Sequence, residues 1–164
     1  MILIQDGYMI DPKSGKEGNF DILIDGDKIV KIAEKIEPKG KVTRINAEGL
    51  LVAPGLVDVH VHFREPGFSY KETIASGSAA AAHGGYTAVC TMPNLDPVPD
   101  SAEHLQVQLD AIKRGAAIKV LPYGAITVGE KGEKLADMEA MSDKVCAFSD
   151  DGKGVQNDEM MREA

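Results

Sequence analysis

The segment richest in chemistry-bearing side chains is Asp58-Val59-His60-Val61-His62-Phe63-Arg64-Glu65-Pro66-Gly67. Read as a strand, its side chains alternate with period two, so Asp58, His60 and His62 share one face while Val57, Val59, Val61 and Phe63 take the other. Two imidazoles at i, i+2 can grip one metal ion, with Asp58 behind them to orient a ligand. The competing reading is a pair of buried, hydrogen-bonded histidines. Two on one face of an apolar strand beside a carboxylate favour the metal, because unpaired polar groups are costly in a core. Arg64 stands just past the strand end, where its guanidinium can capture a carboxylate in two-pronged fashion or pair with Glu65 or Glu72 at the surface. Asn94, after Met92-Pro93, is either a turn residue or a polar contact to a ligand.

A second acidic candidate is Ser149-Asp150-Asp151-Gly152. Taken with the two histidines, a metal ligand is the better reading of this pair. Strand alternation does not choose between Asp150 and Asp151, since Gly152 favours a bend. His83 and His104 fall in helical stretches outside any ligand spacing and read as surface or capping residues. The Gly129 to Gly132 loop lacks the spacing and the lysine of a phosphate-binding loop. Cys90 and Cys146 each sit in an apolar strand-like run and read as reduced core residues.

Residues 1–53 read as all-β, a small β-sandwich part. Met1 to Ile4 is a short strand; Phe20 to Ile24 and Lys28 to Ile32 flank Asp25-Gly26-Asp27, a turn suited to an antiparallel hairpin. Val42 to Ile45 and Leu50 to Ala53 add short strands. From residue 54 to 164 strands alternate with helices, which predicts an α/β fold with a parallel sheet. The units are Leu56 to Phe63 with a helix over Glu72 to His83, capped by Gly84-Gly85, and Tyr86 to Met92 with a helix after Asp100-Ser101 carrying Leu105, Leu109 and Ile112. Ile118 to Ile126 follows, with a short helix bearing Leu135, Met138 and Met141. The last unit is Val145 to Ser149 with a helix capped by Asn157. The small residues of the Glu72 to His83 helix let it pack close to a sheet. About four βα units make half of a (β/α)8 TIM barrel, which usually takes ~250 residues. The chain is therefore expected to be the N-terminal part of a longer protein.

The 164 residues are 43% hydrophobic and 27% charged, which suits a globular domain and excludes disordered and collagen-like classes. A net charge of −8 without a basic patch argues against nucleic acid and anionic membrane as partners. The N-terminal apolar run has no basic leader and no long apolar stretch behind it, so a cytoplasmic protein is expected.

Ala53-Pro54-Gly55-Leu56-Val57-Asp58-Val59-His60-Val61-His62 resembles the opening of the amidohydrolase superfamily, a motif shared with hydantoinases and allantoinases. Phe63-Arg64-Glu65-Pro66-Gly67 together with Met92-Pro93-Asn94 is similar to the narrower dihydroorotase type. Where hydantoinase-like members carry a carboxylated lysine, this chain has Phe148-Ser149-Asp150-Asp151, so the resemblance is to members in which an aspartate takes over, and it selects Asp151. It implies one or two zinc ions held by His60, His62 and Asp151, with His62, Arg64 and Asn94 contacting dihydroorotate or N-carbamoyl-L-aspartate. The implied reaction is reversible hydrolysis of the cyclic amide by zinc-activated water, in pyrimidine (UMP) biosynthesis. The catalytic aspartate and two further histidine ligands are expected beyond Ala164, which leaves no catalytic residue within the chain and predicts that it is inactive alone. A homodimer of the full-length enzyme is an open option. The alternatives are a related cyclic amidase, such as an allantoinase or dihydropyrimidinase, and a non-catalytic structural homologue.

Overall fold

Gly26, at φ +60°, turns the chain between two strands whose apolar residues must lie on one face, and so sets the register of the first sheet. The computed structural model describes residues 1–164, which divide into two units, Met1–Pro54 and Gly55–Ala164. In the first, β1 (Ile2–Asp11), β2 (Lys16–Asp25) and β3 (Lys28–Ala33) form an antiparallel meander. β4 (Thr43–Asn46) and β5 (Leu51–Val52) both pair parallel with β1, completing one five-stranded sheet.

The first strand is longer than the sequence suggests. Gln5-Asp6-Gly7 does not end it, because the irregularity between Ile4 and Gly7 is absorbed as a bulge with Asp6 at φ +59°. The carboxylate of Asp21, fully buried, takes the main-chain N–H of Asp6 at 3.0 Å and that of Ile36 at 2.9 Å, so the bulge leaves no orphaned donor. An apolar cleft of about 340 Å³ lies on this sheet, lined by Ile4, Met9, Ile22, Ile24, Ile29 and neighbouring aliphatics, with Asp11 the one ionisable side chain.

In the second unit β6 (Leu56–Val61), β7 (Tyr86–Thr91), β8 (Lys119–Gly124) and β9 (Ala147–Phe148) form a parallel four-stranded sheet in sequence order, half of a (β/α)8 barrel. Helices α1 (Ile74–His83) and α2 (Ala102–Gly115) are the crossovers. Thr73 caps α1 through the N–H of Ser76, and Gly85, at φ +86°, lets the chain leave its end. Ser101 caps α2. Phe63, Ile74, Val89, Ala111 and Val120 form the core between helices and sheet. A Cβ on Gly77 would meet the Phe63 ring at 2.5 Å, so α1 sits close to the strand because its small residues allow it. A last helix, α3 (Asp158–Glu163), starts at Asn157, whose side chain takes the N–H groups of Glu159 and Met160.

Three expectations need correction. No helix carries Leu135, Met138 and Met141; only Glu139–Met141 makes a 3-10 turn. The backbone of this stretch is spent elsewhere: Val128 N–H donates to Lys134 C=O at 2.8 Å, Ala136 N–H to Ile126 C=O at 2.9 Å, and Leu135 bridges to Thr127. The apolar residues still reach a core, with Leu105, Ala136 and Met141 buried together. Secondly, Val145 to Ser149 is a strand only over Ala147–Phe148, although Cys146 and Ser149 continue its hydrogen bonding to Pro122 and Gly124. Thirdly, Cys90 is buried but Cys146 is exposed, since it flanks the last strand of the sheet and has no neighbour beyond it. Both cysteines are free.

Candidate metal centre

Strand β6 delivers His60, and the turn after it delivers His62. Between Asp58 and Val61 the β6–β7 pairing breaks, and two side chains fill in for it. The Asp58 carboxylate accepts the main-chain N–H of His60 at 3.0 Å, and the Tyr123 hydroxyl donates to the Val59 carbonyl at 3.1 Å. Asp58 therefore steadies the backbone of His60 and makes no hydrogen bond to either imidazole. Burial pushes the Tyr123 phenol above its ordinary pKa, which keeps it a donor. The two imidazoles meet edge to face, ring centres 5.2 Å apart.

The third group arrives from the end of β9. Asp151 has φ +51°, a conformation that Asp and Asn tolerate better than other side chains, and its N–H donates to the Ser149 hydroxyl at 2.9 Å. The turn delivers its carboxylate to the histidines: Oδ1 lies 3.0 Å from His60 Nε2. One ligand atom from each of His60, His62 and Asp151 falls within 4.8 Å of the others. Tetrahedral zinc with ~2.1 Å bonds separates its ligand atoms by about 3.4 Å, so small side-chain movements bring these three into a coordination shell. The donor set, two imidazole nitrogens and one carboxylate oxygen, suits zinc and related ions.

Asp150, which spacing left level with Asp151, points elsewhere. It is 2% exposed, its Oδ1 accepts the N–H groups of Ile126 (2.8 Å) and Thr127 (3.0 Å), and its Oδ2 accepts the Thr127 hydroxyl. It ties the end of β9 to the segment after β8. Lys153 adds a second tie, 3.0 Å from Glu130 Oε2. Burial pushes the Glu130 carboxyl up, and Lys153 offsets part of that; its Oε1 has no partner. Sequence reasoning missed this anchor, and nothing in the pattern around Glu130 signals it.

Asn94 joins the cluster. Its Oδ1 is 2.9 Å from His62 Nδ1 and its Nδ2 donates to Asp151 Oδ2 at 2.5 Å. Arg64 is half-buried, and its guanidinium takes part in no hydrogen bond or ion pair. Glu65 does not neutralise it, being engaged by Arg114 at 3.3 Å and by the N–H of Ile74 at 2.9 Å. Of the other histidines, His83 is exposed at the end of α1 and His104 pairs with Asp100 at 2.7 Å.

The fold is shared with solved cyclic amidases. An L-hydantoinase (dihydropyrimidinase) from Arthrobacter aurescens superposes with a TM-score of 0.79 over 99% of this chain and 37% of its own, at 20% identity. The sequence is closer to another branch. A dihydroorotase from Fusobacterium nucleatum is 52% identical over 152 residues, 93% of this chain and 36% of the relative. One from Clostridium acetobutylicum is 47% identical over 165 residues, 100% of this chain and 39% of the relative. The model of the dihydro-orotase-like family matches residues 49–164, and the chain belongs to that family. It spans little more than a third of the length of these relatives.

Proposed function

We propose that this chain carries the first metal ligands and the carboxylate-binding group of a dihydroorotase, which hydrolyses the ring amide of dihydroorotate reversibly to N-carbamoyl-L-aspartate in pyrimidine biosynthesis. The observation that carries the reading is the convergence of His60, His62 and Asp151 on one point. These three would hold zinc, which supplies Lewis acidity at an amide carbonyl and lowers the pKa of water. In hydrolysis the ring C–N bond breaks, a bond from water oxygen to the carbonyl carbon forms, and the leaving nitrogen takes up a proton. Arg64 contributes by position: a guanidinium free of protein partners can take the substrate carboxylate by two parallel hydrogen bonds and hold the carbonyl in reach. His62 and Asn94 stand at the same end of the sheet and contact the same substrate. No group in the cluster is left over to shuttle the proton, so we infer that the chain is inactive by itself and that the remaining catalytic groups come from later strands.

A small-molecule substrate fits a net charge of −8 better than a polyanion does, and two free cysteines fit a cytoplasmic setting. No helix is long and apolar enough to cross a membrane. The test joins the chain to the remaining length of the Fusobacterium nucleatum relative and compares turnover of dihydroorotate, hydantoin, dihydrouracil and allantoin. Preference for dihydroorotate is expected from the fusion, and no turnover from the chain alone. Preference for a substrate without a carboxylate would overturn the assignment.

A further inference from the structure

We infer that Asn94 is a positioning residue for the metal, one carboxamide that sets the tautomer of His62 and the direction of Asp151 together. This rests on the reading of His60, His62 and Asp151 as metal ligands, and goes beyond a substrate contact. An ionised carboxylate only accepts hydrogen bonds, so the group 2.5 Å from Asp151 Oδ2 must be the NH₂ end of the amide. That orientation turns Oδ1 to His62, 2.9 Å from Nδ1. Since Oδ1 can only accept, His62 must carry a proton on Nδ1, and in the neutral imidazole this tautomer places the lone pair on Nε2.

The geometry also divides the work at Asp151. Oδ2 is held by Asn94 while Oδ1 faces His60 Nε2 at 3.0 Å, so a single oxygen remains on the histidine side. Asn94 itself sits in the segment after β7, two residues beyond the buried Met92, so its backbone is fixed by the core rather than by the ligands it holds. His62 and Asp151 are 89 residues apart by their numbers and follow the two outer strands of the sheet, β6 and β9; the amide between them is the direct link. A partner that fixes tautomer and ring orientation typically contributes 10–100-fold in metal affinity.

The experiment uses Asn94→Leu, which keeps the branched side-chain skeleton and removes both hydrogen bonds, with the smaller Asn94→Ala as a second variant and circular dichroism to verify folding. Zinc affinity is measured by chelator competition beside His62→Ala and Asp151→Asn. Nitrogen-15 NMR of the imidazoles, metal-free, reads the His62 tautomer. The expected result is a 10–100-fold weaker zinc affinity for both Asn94 variants, with His62 reading as Nδ1–H in the parent chain and losing that preference in the variants. Unchanged affinity in folded Asn94 variants, while His62→Ala and Asp151→Asn lose zinc, would overturn the inference and leave the metal reading intact. Zinc affinity unaffected by His62→Ala and Asp151→Asn would instead remove the metal reading itself. A parent His62 protonated on Nε2 would refute the tautomer argument whatever the affinities.

Discussion

Asp150 and Asp151 are adjacent and chemically identical, yet the same substitution should give opposite phenotypes at the two positions. Asp150 is 2% exposed and accepts from two main-chain N–H groups and one hydroxyl. An asparagine there keeps one oxygen for the two N–H groups and loses the acceptor for the Thr127 hydroxyl, which costs about 1.5–3 kcal/mol for a bond to a charged group. Alanine strands all three donors and costs roughly 3–6 kcal/mol, a large share of the ~5–15 kcal/mol that holds a domain together. At Asp151 the φ of +51° is one that asparagine adopts readily, so Asp151→Asn should leave stability within ~0.5 kcal/mol. On the proposed metal reading it removes the one anionic ligand, however, and zinc affinity should fall at least about tenfold, or ~1.4 kcal/mol. Urea denaturation and chelator competition on both variants read the two effects independently. An Asp150→Asn protein that loses zinc at unchanged stability, paired with an Asp151→Asn protein that is destabilised yet binds normally, would refute the division of labour.

Cys146 is exposed, yet burial of its sulfur and the neighbouring Cys90 push its thiol up to about 11 from 9.0. Below pH 9 its thiolate population is therefore about 100-fold below that of an ordinary cysteine, and iodoacetamide should modify it correspondingly slowly in the unaltered chain, with the site of alkylation read by peptide mapping; alkylation at the rate of a free peptide thiol sinks the idea. Lys153→Met removes the cation that offsets the burial of Glu130, so the folded pKa of that carboxyl, already raised from 4.5, should rise further. Stability held by the neutral carboxyl is full below 4.5 and is lost as pH rises through the folded value, so the substitution should cost ~1–2 kcal/mol at pH 7, discounted because the lysine is 58% exposed. The deficit should fade towards pH 4.5, and a deficit independent of pH counts against it. Gly77→Ala improves helix propensity by ~1 kcal/mol but sets a Cβ 2.5 Å from the Phe63 ring. Thermal melting should show a net loss of ~1–3 kcal/mol, and a stabilised variant would mean that α1 and the sheet separate freely.

Much of this fold was legible because its signals are local. The hairpin turn at Gly26, the Ser101 and Asn157 caps that start helices, and the alternation that puts His60 and His62 together each depend on a few adjacent residues. What failed depended on partners far away in sequence. Leu135, Met138 and Met141 have a helical spacing, but Ile126 and Val128 claim the backbone of that stretch, and no local pattern announces that claim. Asp58 looked like an orienting partner for an imidazole and is instead a substitute for a missing ladder bond. The choice between Asp150 and Asp151 was out of reach for the same reason, since it is made by the N–H groups of Ile126 and Thr127.

The two sequence segments that carry the narrower resemblance turn out to be one mechanical object. Gly67, at φ +92°, presses against the backbone of Asp96: a Cβ there would stand 2.5 Å from the Asp96 Cβ, 2.6 Å from its carbonyl oxygen and 2.8 Å from its nitrogen. The N–H of Asp96 reaches the Pro66 carbonyl at 3.4 Å. The loop after β6 is therefore seated directly on the loop after β7, and only glycine permits the approach. That contact sets the distance between the segment bearing His62 and the one bearing Asn94, which meet at 2.9 Å. Glu65, between them, is spent on the first N–H of α1 and on Arg114, which locks the loop to the helix layer and leaves the charge of Arg64 unpaired. Arg-Glu-Pro-Gly and Met-Pro-Asn thus belong together for a physical reason: the glycine of one places the asparagine of the other, and the glutamate of the first, engaged elsewhere, leaves its arginine without a protein partner.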